Sequence, residues 1–349
     1  MPEADMGNVI PLDPARVGRP APGAVGVGAG GTGPTGAGPG VVGPAGAGPV
    51  VVGPAGAGPG VAGPPVVEQS SRDRAIAGGL AFLRRRLTGD YPIDDFGFDS
   101  DLTEHVLLPP LRPLYERWFR VETRGLDNVP TDGAALLVAN HSGAVPIDAI
   151  MTSLALLDHH PAHRHLRLLA ADLVFRLPVL APLARKGGNT LACNADAERL
   201  LRGGELVGVF PEGFKGIGKP FSERYKLQRF GRGGFVSAAL RTGAPIIPVS
   251  IIGAEETYPI LANVAPIARL LGLPYLPITP TFPLLGPLGL VPLPSKWLIE
   301  FGEPIETTTL GGPAAADDPM LVFNLTDQVR ETIQSTLYTL LMQRRSVFF

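Results

Sequence analysis

The sequence predicts an α/β fold, a mostly parallel central sheet flanked by helices, preceded by a helical lead-in and a Gly/Pro-rich tail. Two observations carry this. From Gly133 onward, short apolar runs alternate with amphipathic helical patterns, as βαβ units require. Two of those runs end abruptly on polar loops, Asn140-His141 and Pro211-Glu212-Gly213, as strands of such sheets do where ligands bind.

The elements follow in order. Residues 21–65 are almost wholly Gly, Pro, Ala and Val with a ten-residue period, GPTGAGP then GPAGAGP twice. Proline removes hydrogen-bond donors, glycine raises the ordering entropy, and large side chains are lacking, so residues 1–70 are expected to be a disordered low-complexity tail. Glycine does not recur at every third place, which argues against a collagen triple helix. Deleting 1–66 is expected to leave catalysis unchanged.

Residues 71–120 form the lead-in. SRDRAIAGGLAFLRRRL reads as a helix with a basic end, followed by an acidic turn, and then by LTEHVLLPPLRPLYERWF, helical but broken by Pro109, Pro110 and Pro113. Residues 121–345 form the main domain. RVETR is strand-like. ALLVAN, LRLLAA, ELVGV, APIIPVSIIGA and WLIEFGEPI read as buried strands. IDAIMTSLALL, VLAPLARK, NADAERLLRGG and RGGFVSAALRTG read as helices between them, two of them stopped by glycine. The last helix, from Pro319, places Leu325, Val329, Ile333, Leu337 and Leu340 on one core-facing stripe.

Composition limits the function classes. The chain of 349 residues is 45% hydrophobic and carries a net charge of −2, so no global basic field points to nucleic acid and a membrane surface is a natural partner. The single cysteine, Cys193, excludes an intrachain disulfide and fits a reducing, cytoplasmic compartment. Its expected role is small-residue packing. MPEADMGN begins acidic with no apolar run behind it, so no cleavable signal is read. His159, His160, His163 and His165 invite a metal reading, but without a second ligand cluster an exposed turn is expected, and no metal. A nucleophile elbow, G-x-S-x-G, is absent. Gly213–Lys219 imitates a Walker loop, yet Pro220 stands where a magnesium-holding hydroxyl is required.

What remains is LLVANHSGAVPID. His141 at a strand end, with Asp148 able to fold back through the SGAVP turn, has the makings of a general base and its orienting carboxylate. Four blocks then occur in order: Asn140-His141 with Asp148, Arg185-Lys186-Gly187, Phe210-Pro211-Glu212-Gly213, and Pro245-Ile246-Ile247-Pro248-Val249. Together they resemble the glycerolipid acyltransferase superfamily over roughly Arg124–Pro304. Six residues separate His141 from Asp148, more than in the common family pattern, with Pro146 where the aspartate would stand. That form is closer to a branch that includes acyltransferases of neutral acylglycerols.

The resemblance implies an O-acyltransferase moving a fatty acyl group from acyl-CoA or acyl carrier protein, as co-substrate, to a lysophospholipid or glycerol-phosphate hydroxyl, with no cofactor. The alternatives are a neutral mono- or diacylglycerol acyltransferase and a non-catalytic lipid-binding scaffold. His141 is expected as base and Asp148 as its partner, with Asn140, Gly143, Arg185, Lys186, Glu212, Gly213, Lys215, Lys219 and Arg224 meeting substrate. Gly143 or another loop amide is the expected oxyanion donor, and the cations after Glu212 are an expected anion cradle. Thr257–Ser295 has one charged residue, Arg269, and prolines that rule out a spanning helix. It is expected to enter the bilayer surface and receive acyl chains, making the protein cytoplasmic and peripherally membrane-associated.

Overall fold

The computed structural model describes residues 71–348 except 232 and 271, so the Gly/Pro-rich tail expected over 1–70 lies outside the described residues. The lead-in opens with α1 (Ser71–Thr88) and a short α2 (Ser100–Leu102). Where one broken helix is expected there are three separate turns, Thr103–Leu107, Pro109–Leu111 and Leu114–Trp118, because each proline lacks the amide that continues a helical ladder. The acidic turn pairs with the basic end of α1. Arg86 makes a two-pronged contact with the buried Asp99, at 2.6 and 2.7 Å, and Arg85 bonds Asp101.

The sheet and its flanking helices run in the order β1 (Glu122–Arg124), β2 (Ala135–Ala139), α3 (Ile147–His159), β3 (Leu166–Ala170), α4 (Asp172–Arg176), α5 (Leu180–Lys186) and β4 (Thr190–Leu191). There follow α6 (Asn194–Arg202), β5 (Leu206–Val209), α7 (Phe214–Ile217), α8 (Gly234–Thr242) and β6 (Ile246–Ile252). Next come a two-residue hairpin, β7 (Ala262–Asn263) and β8 (Pro277–Ile278), with α9 (Ala265–Leu270) between its arms, then β9 (Leu298–Phe301) and α10 (Pro319–Gln343).

Seven strands lie in the order β1-β9-β6-β2-β5-β3-β4. All neighbours are parallel except β6 and β9, so β1 and β9 form a reversed pair at one edge. The strands alternate their faces. Leu136 and Val138 of β2 join α6, α8 and α10 in one core, whereas Ala135, Leu137 and Ala139 join α3 and the lead-in residues Tyr115 and Phe119 in the other. All five stripe residues of α10 are buried. Leucines and valines at both faces of β2 bury the strand completely, as the middle of a parallel sheet demands.

Two expectations change. His160 is buried, not exposed, and its ring meets the Val129 carbonyl at 3.0 Å. Cys193 is only half-buried. In Thr257–Ser295 no long helix forms. Tyr258 and Ile260 tuck inside while Leu270, Leu284 and Leu288 stand 85%, 83% and 71% exposed. Among the described residues, no helix is long and apolar enough to cross a membrane.

Candidate active site

Strands β2 and β5 are neighbours in register, Val138 beside Val209, so their carboxyl ends deliver His141 and Glu212 to one place. The chain leaves β2 at Asn140, which is fully buried. Its amide oxygen accepts from Ile251 N at 2.7 Å and its amide nitrogen donates to Ile251 O at 3.0 Å. Both ends of the side chain are thus spent on pinning β2 to β6. Asn140, expected to meet substrate, is a strand clamp.

After His141 the loop turns through Gly143, whose φ of +79° favours glycine, and enters α3. Asp148 lies in the first helical turn, where the amide dipoles favour an anion. Its carboxylate, fully buried, accepts from Ser142 N at 2.8 Å and faces His141 Nδ1 at 2.8 Å. An ionised carboxylate can only accept, so the contact selects the neutral tautomer with its proton on Nδ1 and its lone pair on Nε2. The imidazole packs on Phe210, with ring centroids 4.7 Å apart, and lines a cavity of about 670 Å³.

That cavity is apolar. Leu107, Leu108 and Leu111 of the lead-in form part of its wall, with Ile150, Leu168, Leu183 and Phe235 on the domain side. The lead-in therefore completes the site. Among the described residues no Lys, Arg, Asp or Glu lines it, and none of its lining comes from Thr257–Ser295, which was expected to receive acyl chains.

Glu212 has both oxygens committed. One accepts from His141 N at 2.9 Å, the other from Gln228 N at 2.6 Å. Burial pushes its carboxyl pKa up, while Lys219 and those two amides hold it down. Lys219, expected in an exposed anion cradle, is itself buried. Its ammonium sits 2.9 Å from Glu255 and 3.7 Å from Glu212. Desolvating a lone ammonium is costly, and the two carboxylates offset that cost. Burial raises Glu255 to about 7 against the pull of Lys219. The neighbouring Glu256 takes a short hydrogen bond from Tyr225 Oη and an ion pair with Arg344 at 3.0 Å. Glu255, Glu256 and Tyr225 were not foreseen. Two consecutive acids in IIGAEET, at a third strand end, were the available signal.

The remaining expected residues spread out. Gly213 lines the cavity and takes a backbone conformation, φ +54°, that side chains rarely adopt. Gly143 does not line it. Arg185 and Lys186 are exposed at the end of α5, Arg185 stacking over Phe175. Lys215 is exposed on α7, and Arg224 lies over Phe221, donating to its carbonyl at 3.2 Å. None of these four cations lines the cavity. Gly216, unremarked in the sequence, permits a close approach of the two loops. A Cβ there would stand 2.7 Å from Glu212 Cβ and 2.9 Å from the His141 carbonyl. Among the described residues no cluster of His, Cys, Asp and Glu is placed to hold a metal ion.

A histidine oriented by a buried carboxylate and lining an apolar cavity is equipped to deprotonate a hydroxyl. Comparisons with known proteins give the following likenesses. The family model Acyltransferase matches residues 120–252. An uncharacterised protein of Mycobacterium tuberculosis is 64% identical over 274 residues, covering 78% of this chain and 76% of its own. A human DGAT1/2-independent enzyme synthesizing storage lipids is 29% identical over 132 residues, 38% of this chain and 40% of that one. The crystal structure of the 1-acyl-sn-glycerophosphate (LPA) acyltransferase PlsC from Thermotoga maritima aligns with 79% of this chain and 99% of that one, at 19% identity and a TM-score of 0.45.

Proposed function

The chain belongs to the glycerolipid acyltransferase superfamily, and from that premise we propose that it transfers a fatty acyl group from an acyl thioester to a hydroxyl of a neutral acylglycerol at a membrane surface. The observation that carries the reading is the His141–Asp148 pair, with His141 lining the apolar cavity. In this reading Nε2 takes the hydroxyl proton as the oxygen attacks the thioester carbonyl carbon. The C–S bond then breaks, the imidazolium returns its proton to the departing thiolate, and an ester and a free thiol leave. Asp148 stabilises the imidazolium between the two transfers. The acyl chain occupies the cavity, whose volume suits a ligand of that size (pockets run roughly 300–1,000 Å³).

A neutral acceptor is favoured over a phosphorylated one by the placement of charge. A phosphate needs an arginine or lysine within reach, and among the described residues the cavity lining has neither. Lys219 is engaged by Glu212 and Glu255. The human relative's name, an enzyme synthesizing storage lipids, agrees with this choice. Membrane docking is assigned to Thr257–Ser295, which has no carboxylate and holds Leu261, Leu270, Leu284, Leu288 and Leu290 in solvent. Trp118, 39% exposed and donating to the Pro292 carbonyl at 2.9 Å, adds an amphipathic ring of the interfacial kind.

The test is an acceptor screen with purified protein, one labelled acyl-CoA and an acyl carrier protein counterpart. Monoacylglycerol and diacylglycerol are expected to release thiol and gain label, lysophosphatidic acid and glycerol phosphate far less. A preference for the phosphorylated acceptors would overturn the neutral assignment. No acceptor-dependent thiol release with any of them would select a lipid-binding scaffold.

A further inference from the structure

The membrane-docking segment and the catalytic loop meet at one side chain. Tyr275 lies between α9 and β8, inside the apolar excursion, yet its hydroxyl donates to the Ala144 carbonyl at 2.6 Å. Ala144 is in the middle of the turn that carries the chain from His141 to Asp148. Among the described residues, Tyr275 is the one side-chain donor to the carbonyls of that turn. The same ring packs on the far catalytic loop. A Cβ on Gly218, six residues after Glu212, would stand 3.2 Å from the Tyr275 ring.

Beyond the Asp148 carboxylate, which takes the Ser142 amide at 2.8 Å, the turn has little else to hold it. Val145 is 43% exposed, and the local backbone bond is Ile147 N to Val145 O at 2.7 Å. On the other side, Tyr275 is fixed to its own segment through Leu276, whose amide donates to Asn263 Oδ1 at 2.9 Å and whose carbonyl accepts from Val264 N at 3.0 Å. Leu270 and Leu273, in the same short stretch, are among the exposed apolar side chains assigned to the lipid surface. Burial and the Asp148 charge push the Tyr275 phenol up to about 12, so the hydroxyl keeps its proton at neutral pH and stays a donor.

We propose that Tyr275 is a positioning residue that transmits docking of the Thr257–Ser295 excursion on a lipid surface to the His141–Asp148 turn, so that the turn is ordered when the protein is on a membrane. The inference rests on the membrane role assigned to that excursion. A ligand-free consequence follows, because ordering of the turn is readable without any acyl transfer.

The experiment is hydrogen exchange of the full chain over residues 141–147, with and without phosphatidylcholine vesicles, alongside co-sedimentation. In wild type, vesicles are expected to slow exchange of the turn. Tyr275→Phe keeps the ring and its packing, so it is expected to sediment as wild type does. Its turn is expected to exchange roughly fivefold faster, the size of one neutral hydrogen bond, and to gain no protection from vesicles. Leu288→Asp with Leu290→Asp leaves Tyr275 in place and is expected to lose both sedimentation and vesicle-dependent protection, with wild-type exchange in free solution. Equal protection in wild type and Tyr275→Phe overturns the proposal, as does a wild-type turn indifferent to bound vesicles. Failure of the wild type to sediment removes the membrane reading itself and is seen separately from the exchange data.

Discussion

The Asp148 carboxylate serves two groups at once, the imidazole of His141 and the amide of Ser142, so it fixes both the ring and the turn that presents it. His141→Ala is expected to lower kcat on the order of 10²–10⁴-fold. Its melting temperature should stay near wild type, because the ring faces a cavity instead of filling a core. Asp148→Asn is expected to lower kcat less, since an amide oxygen can still accept one of the two bonds. Steady-state kinetics beside thermal melts check both. Retention of more than a tenth of the activity in His141→Ala would remove it as the base. Glu255 gives a second expectation. Its folded pKa, about 7, lies above the ordinary 4.5, so the folded state prefers the protonated form. Its contribution to stability is therefore full below about pH 4.5 and lost as pH rises through 7. Relative to Glu255→Gln, wild type should lose stability across that window with a slope of at most one proton, ~1.4 kcal/mol per pH unit. Denaturant unfolding of both proteins from pH 4.5 to 8 measures it. A difference independent of pH would place the Glu255 titration elsewhere.

Among the elements, the excursion between β6 and β9 is the one whose surface and sequence both point outward from the core. Burial of leucine in a bilayer is not screened by salt, whereas attraction of lysine and arginine to anionic lipid is. Lys226 and Arg229, exposed in the loop after Glu212, are placed to supply the second component. Binding to anionic vesicles is expected to fall with salt to a plateau above zero. Leu288→Asp with Leu290→Asp should abolish the plateau. Lys226→Glu with Arg229→Glu should abolish the salt-sensitive part, roughly 1 kcal/mol per well-placed charge. Co-sedimentation over a salt series distinguishes the two. Equal plateaus in wild type and the leucine variant would return the segment to the interior. The elements themselves were largely readable. The apolar runs at β2, β3, β5, β6 and β9 and the stripe of α10 each show their period, but β4 at two residues is too short for a period to exist.

At the scale of the whole molecule, the site was readable where its partners are neighbours in sequence or where a strand visibly ends on a polar loop, as at Glu212. His141 and Asp148 are seven residues apart and declare themselves. Glu255 and Tyr225 are 30 apart, and Arg344 lies 88 residues from Glu256, so only the fold brings them together. Charge type also misleads about depth. Lys219 reads as one more cation in a solvated run, yet it is the counter-ion of two buried acids. Asn140 reads as a ligand beside a histidine, yet it completes a hydrogen-bonding ladder.

The reversed edge of the sheet has a consequence for how the molecule is made. Strand β1 finds its partner at β9, pairing Glu122 with Leu298, and Phe119 stacks on Trp297 with ring centroids 4.6 Å apart. During synthesis the early strand is therefore left waiting while some 170 residues emerge, roughly ten to thirty seconds at ordinary translation rates. Through that interval Phe119, fully buried in the finished protein, has no ring to cover it. The nascent chain is thus most exposed to chaperones and to misassociation at the end of the lead-in, a few residues after the leucines that wall the cavity.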